Sequence, residues 1–356
     1  MTDSPADVQC RVVGRIGRIT LDRPRALNAL TLDMVRLIDA ALVDWAQDPA
    51  ILAVLVDGAG PRGFCAGGDI RSLYEAAKAD DLSMPKAFFA TEYRMNARIA
   101  SFPKPYIPIM DGIVMGGGIG LSAHGNYRLV TARAMLAMPE VGIGFIPDVG
   151  GTFLLARAPD QLGTHAALTA ARLSGADAMM LGLADRMIDA ERIASLITNI
   201  EQCTNLDELD RCIDRVTTTP EAGSLEADRA WIARCYQGDR IEEILAALDD
   251  AGIAHSQAAA DNLRSQSPLA LKLTLRALRH AAVVGNLPAC LDQEYRIALR
   301  CMRSHDFIEG VRAAVIDKDR SPKWQPAALD QVTATLLDPY FAPLGDEELG
   351  LSRSLF

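Results

Sequence analysis

Glu140 and Asp148 lie in the segment MPEVGIGFIPDVGG, among Met138, Val141, Ile143, Phe145, Ile146 and Val149. Apolar neighbours of this kind predict partial burial of both carboxyls. Burial disfavours the charged form, raises a carboxyl pKa and suits the group to proton transfer. Glu140 is expected at the end of a buried strand. Pro147 and the pair Gly150-Gly151 set the turn that follows. The competing role for Asp148 is to cap a helix beginning near Gly150.

Two glycine-rich stretches supply a second kind of chemistry, that of the backbone N–H. In Phe64-Cys65-Ala66-Gly67-Gly68-Asp69 two glycines allow a sharp turn, and a helix is expected to start near Asp69. Amides at that end of a helix suit a developing negative charge on an acyl oxygen. A plain strand-to-helix turn is the alternative. In Met115-Gly116-Gly117-Gly118-Ile119-Gly120 three successive glycines cost chain entropy, so they imply close approach by a ligand or by another strand. Gly118-x-Gly120-x-x-Ala123, with Glu140 further on, imitates a dinucleotide fingerprint. The strand before it is broken at Asp111-Gly112, and no βαβ unit opens the chain, so nicotinamide and flavin binding are set aside.

Other reactive side chains carry less. The histidines at 124, 165, 255, 280 and 305 have no metal-ligand spacing, and His124 reads as a helix residue. The seven cysteines form no CxxC pair, so neither a zinc site nor a disulfide framework is indicated. Cys65 has no histidine partner in view to activate it as a nucleophile. Asp317-Lys318-Asp319-Arg320 reads as a solvated charge run.

These groups must be positioned by alternating strands and helices. Residues 11–22 read as short strands around Gly14 and Gly17. Thr31 suits an N-cap, and Val35, Ile38, Leu42 and Trp45 make one helical face. ILAVLVDG (51–58) reads as a strand buried on both sides. A second amphipathic helix is expected over 88–101. KPYIPIMDGIVM reads as a strand with a turn at Asp111-Gly112, and YRLVTA and AMLAMPE as short strands. An α/β architecture follows. Beyond about residue 160 the pattern becomes helical, with TTTPEAGS (217–224) linker-like. Leu271, Leu275 and Leu278 belong to a further helical block. The division expected is 1–200 as core, 201–266 as a helical connection and 267–356 as a C-terminal helical region.

The net charge of −10 argues against nucleic-acid and anionic-membrane partners. No apolar run approaches the roughly 20 residues of a membrane span. MTDSPADVQC lacks the apolar core of a signal peptide, so a cytoplasmic protein with reduced thiols is expected.

FCAGGDIR, DGIVMGGGIGLS and AMPEVGIGFIPDVGG together resemble the crotonase (enoyl-CoA hydratase/isomerase) superfamily. HDFIEGVRA, DKD and SPKW further resemble its 3-hydroxyisobutyryl-CoA hydrolase branch. The likeness covers roughly residues 15–325. It implies a spiral of ββα units followed by C-terminal helices, and an acyl-CoA as substrate. The oxyanion-hole amides carry over onto Gly68 and Gly117. Hydratases of the superfamily hold a water with two glutamates. Glu140 matches the second, whereas the first falls on Gly120, which has no side chain. A glycine there and an aspartate at Asp148 match the hydrolase branch, so the resemblance implies thioester hydrolysis in valine breakdown. It places Arg25, Ala26, Leu27, Ala66, Asp69, Ile70, Gly116, Gly120 and Lys318 against substrate or coenzyme A. No metal or resident cofactor is implied, and a homo-oligomer is possible. The alternatives are an enoyl-CoA hydratase or isomerase, and a catalytically silent acyl-CoA-binding protein.

Overall fold

The computed structural model describes residues 7–355, so most of the N-terminal stretch MTDSPADVQC lies outside the described residues. Its strands are β1 (Val8–Val13), β2 (Ile16–Leu21), β3 (Ala53–Gly58), β4 (Gly63–Cys65), β5 (Tyr106–Met110), β6 (Ile113–Met115), β7 (Leu129–Thr131), β8 (Met135–Ala137), β9 (Leu173–Ser174), β10 (Arg186–Ile188) and β11 (Thr217–Thr218). The chain forms two compact units. The first comprises the chain up to Gly68, Arg94–Leu136 and Leu173–Gly223. The second comprises Asp69–Tyr93, Ala137–Arg172 and the chain from Ser224 onward.

The strands build two sheets, ordered β1-β2-β3-β5-β7-β10-β11 and β4-β6-β8-β9. Each successive pair, β3 with β4, β5 with β6 and β7 with β8, sends its first strand to the larger sheet and its second to the smaller. Helical turns follow each pair, which is the ββα unit. The chain fold is α/β as expected. β2, β3, β5, β7 and β10 pair in parallel, and a parallel strand buried on both faces needs a continuous apolar run. Ala53, Val54, Leu55 and Val56 satisfy this and are all fully buried. Leu55 joins Ile16, Ile107, Leu129 and Ile188 in one core cluster.

The helix Leu32–Gln47 begins where Thr31 accepts from the Met34 N–H, and it buries Val35, Ile38, Leu42 and Trp45. Gly17 admits that Trp45 ring: a Cβ on Gly17 would lie 2.4 Å from it.

Two sequence expectations are corrected. Thr217–Thr218 is not linker but an edge strand, antiparallel to β10. The region after 160 is not purely helical, since β9, β10 and β11 fall in it. Strands of two or three residues are too short to show a period.

The second unit is mainly helical. Pro268–Val284 starts at the Ser267 cap with proline in its first turn, and it buries Leu271, Leu275 and Leu278. Among the described residues, no helix is long and apolar enough to cross a membrane.

Candidate active site

The first unit carries the backbone donors. Cys65 closes β4, fully buried, with its Sγ 3.2 Å from the Asn28 carbonyl oxygen, which makes it a packed strand residue rather than an exposed nucleophile. Asn28 ties two loops together. Its side-chain amide donates to the carbonyls of Ala59, Gly63 and Phe64 at 3.0–3.1 Å. Pro24–Ala26 form a single helical turn that ends at Leu27, with Arg25 and Ala26 exposed. The Ala66 N–H donates to the Leu27 carbonyl at 3.0 Å, and the Leu30 N–H to the Gly67 carbonyl at 2.8 Å. Arg25, Ala26 and Leu27 are thereby held against the Ala66–Gly68 loop.

That loop also meets the triple glycine. Gly67 sits at φ +102, and a Cβ there would lie 3.2 Å from the Met115 carbonyl oxygen and 3.5 Å from the Gly117 nitrogen. A Cβ on Gly118 would lie 2.4 Å from the Cys65 carbonyl oxygen. Glycine is required at both places by backbone approaching backbone. Gly116, at φ +46, caps the helix Gly117–Ser122. The Gly117 N–H lies in the first turn, outside the intrahelical ladder. Among the described residues neither the Gly68 nor the Gly117 N–H makes a backbone hydrogen bond. Two unengaged donors on adjoining segments are what a carbonyl oxygen gaining negative charge requires. Gly120 is buried in the same helix.

The second unit carries the carboxyls. Glu140 is the first residue of the single turn Glu140–Ile143, not the end of a strand as the sequence suggested. β8 stops at Ala137, because Pro139 interrupts the ladder. The turn is braced by the C-terminal signature. A Cβ on Gly144 would lie 2.3 Å from the Asp306 backbone, and one on Gly310 2.5 Å from Ile143. Asp306, fully buried, accepts from the Ser267 hydroxyl and from the Gln325 N–H. The HDFIEG stretch is therefore packing around Glu140.

Asp148 accepts a hydrogen bond from the Tyr93 hydroxyl at 2.7 Å. It caps no helix. Gly150 is the N-cap of Gly151–Ala156 and makes no side-chain bond there. Sequence reasoning missed three further groups here: Glu92, Tyr93 and Glu294. Glu92 follows Phe88 and Phe89 on the buried side of the helix Ser83–Ala100, so an acid on an apolar helical face was the available signal. Glu294 sits among Leu291, Tyr295 and Ala298 in the same manner. Oε2 of Glu140 and Oε1 of Glu92 are buried without a hydrogen-bond partner.

All four carboxyls are buried, and none is ion-paired among the described residues. Burial pushes Glu140 and Glu92 well above the ordinary carboxylate range, and the charge of Asp148 pushes both further. Burial also lifts Asp148 to about 7, against the opposing pull of the Tyr93 hydrogen bond. Glu294 is raised by burial to about 8, although Thr152 and Gly150 donate to it. Burial therefore favours the protonated form of each of the four carboxyls over its form in water.

A stability trend follows. An acid whose folded pKa exceeds its unfolded value stabilises the fold below the unfolded pKa, about 4, and loses that contribution as pH rises through the folded value. The thermal midpoint is therefore expected to fall between about pH 5 and about pH 8, and Asp148→Asn should flatten the slope in calorimetric scans. A wild-type midpoint that rises across this window would contradict the raised values.

Asp69 caps the helix Ile70–Lys78 by accepting from the Ser72 N–H, and Ile70 is its half-buried first residue. The 317–320 run is more than a solvated stretch. Asp317 and Asp319 both accept from Arg312 at 2.7 Å. Lys318, between them at φ +60, is exposed.

The family model described as enoyl-CoA hydratase/isomerase matches residues 16–341. The chain belongs to that family. Curated relatives similar to it include the mitochondrial 3-hydroxyisobutyryl-CoA hydrolase of Homo sapiens. That protein is 41% identical over 98% of this chain and 92% of its own length. The Gallus gallus protein of the same name is 38% identical over 98% and 92%. Among solved structures, a carnitinyl-CoA dehydratase from Mycobacterium thermoresistibile is 46% identical with a TM-score of 0.92, covering 97% of this chain and 98% of its own. An enoyl-CoA hydratase from Rhodobacter sphaeroides is 42% identical with a TM-score of 0.89, covering 97% and 99%.

Proposed function

We propose that this enoyl-CoA hydratase/isomerase family member hydrolyses a short 3-hydroxyacyl-CoA thioester, with 3-hydroxyisobutyryl-CoA giving 3-hydroxyisobutyrate and coenzyme A. The observation that carries the reading is a buried Glu140 oxygen without a partner, beside the Asp148–Tyr93 pair, in a chain whose Gly120 offers no second glutamate for hydration. Curated relatives named for this hydrolysis match nearly the whole chain.

In this reading the thioester oxygen accepts from the Gly68 and Gly117 amides, which stabilise the charge that develops there. Glu140 acts on the same carbonyl carbon, either by attack to form a mixed anhydride or by taking a proton from the attacking water. The carbon–sulfur bond breaks, and the leaving thiolate needs little assistance because a thiol pKa is about 8.5; on the anhydride route a water then hydrolyses the anhydride, releasing the hydroxy acid and restoring Glu140. Asp148 orients the substrate hydroxyl or the water. Arg25, Ala26, Leu27, Ala66, Asp69, Ile70, Gly116, Gly120 and Lys318 are the proposed substrate and coenzyme A contacts. The step uses no metal and no resident cofactor. Residues 1–200, 201–266 and 267–356 are kept as the proposed division into core, connection and C-terminal region. The proposed compartment is the cytoplasm, whereas the curated relatives named above are mitochondrial.

The dehydratase and hydratase names of the solved relatives favour a second reading, addition of water to an enoyl-CoA. Incubation with 3-hydroxyisobutyryl-CoA and, separately, crotonyl-CoA distinguishes the two. Thiol release from the first is expected. Loss of the enoyl absorbance from the second, with no thiol released from either, would overturn hydrolysis.

A further inference from the structure

The turn after Asp148 is held in a conformation that L residues avoid. Val149 lies at φ +53, a region a β-branched side chain rarely enters, and Gly150 follows at φ +80. Such a turn persists only where its surroundings over-determine it. The surroundings here include Glu294, buried on the helix Leu287–Cys301. One of its carboxyl oxygens accepts from the Gly150 N–H at 2.6 Å. The other accepts from the Thr152 N–H at 2.9 Å and from the Thr152 hydroxyl. The Gly151 N–H between them is taken by the Asp148 carbonyl at 2.6 Å. The next residue on that helix, Tyr295, packs edge-on against Tyr93, the donor to Asp148, with ring centroids 6.3 Å apart. One helix thus braces Asp148 through its backbone and through its hydrogen-bond partner.

A buried carboxyl is an expensive cap for a six-residue helix, since a serine or asparagine there would carry no ionisable group into the interior. The expense is understandable where the turn itself must not move.

We infer that Glu294 is a positioning residue for thioester hydrolysis, clamping the Gly150 and Thr152 amides so that Asp148 keeps its carboxyl on Tyr93 and within electrostatic reach of Glu140. The inference rests on the reading of Asp148 as a group that acts on the substrate. Glutamine at 294 has nearly the same shape but only one oxygen for two sets of donors, and its NH₂ would face an N–H.

The test is a double-mutant cycle of Glu294→Gln and Asp148→Asn in the full-length protein, with steady-state hydrolysis of 3-hydroxyisobutyryl-CoA as readout. Glu294→Gln is expected to lower kcat about 10²-fold, the scale of an ångström misplacement, with KM little changed. In the Asp148→Asn background it should have almost no further effect, because the group it positions is already gone. Equal fold-losses in both backgrounds would overturn the positioning role and leave the hydrolytic reading standing. Asp148→Asn with wild-type turnover would overturn both the positioning role and the reading of Asp148 as a group that acts on the substrate. If Glu294→Gln does not fold, Thr152→Val removes the hydroxyl contact alone. It should give a smaller kcat loss with the same dependence on Asp148, and unchanged kcat in that variant overturns the inference.

Discussion

Glu140→Gln is expected to lower kcat for 3-hydroxyisobutyryl-CoA hydrolysis by about 10²–10⁴-fold, the usual contribution of a positioned base or nucleophile. The substitution keeps the side-chain shape and removes only the ionisable oxygen. Glu140 is 7% exposed with one oxygen unpartnered, so no structural hydrogen bond to that atom is lost. The folded protein should be as stable as the wild type, and more stable at alkaline pH, because the cost of ionising a buried acid disappears. Binding of coenzyme A should persist, since none of its proposed contacts is altered. Turnover and calorimetry on the same preparation give a direct check. Unchanged kcat removes Glu140 from the chemistry, and lost turnover accompanied by a lost thermal transition at pH 8 would assign it a structural role.

Gly118→Ala should be nearly as damaging, for a reason located wholly in the backbone. The added Cβ would lie 2.4 Å from the Cys65 carbonyl oxygen and 3.0 Å from the Cys65 Cβ. Neither neighbour is the free end of a side chain, so β4 and the helix Gly117–Ser122 must separate. That separation carries the Gly68 and Gly117 amides apart, and losing one such donor costs about 10²–10³ in rate. Overpacking also costs about 1–3 kcal/mol in stability. Gly17→Ala provides the comparison. Its Cβ would strike the Trp45 ring at 2.4 Å, so it lowers the thermal midpoint without touching the amides. Measured below both midpoints, Gly17→Ala should retain kcat/KM and Gly118→Ala should not. If the two behave alike, the amides do not have the role proposed for them.

Much of the fold was legible because it depends on local rules. Thr31 announces a helix whose apolar residues recur at three- and four-residue spacing, and the run from Ala53 to Val56 can only be a strand covered on both faces. The two-residue strands after 160 were illegible, because their identity comes from the partners they pair with.

The family resemblance marks Gly120 as the place of a missing second glutamate; for the site, the sequence alone determined two kinds of group with unusual chemistry, acids set in apolar text and successive glycines that cost chain entropy. Each is a property of a residue and its immediate neighbours. Only the tertiary structure decided what those groups face. It took Asp148 away from a helix cap and gave it to Tyr93, added Glu92 and Glu294 from distant helices, and showed that HDFIEG packs around the Glu140 turn. The physical reason is that burial, charge and hydrogen bonding act through space. A carboxyl on helix 287–301 can shape the turn after residue 148 only once both have been folded against each other.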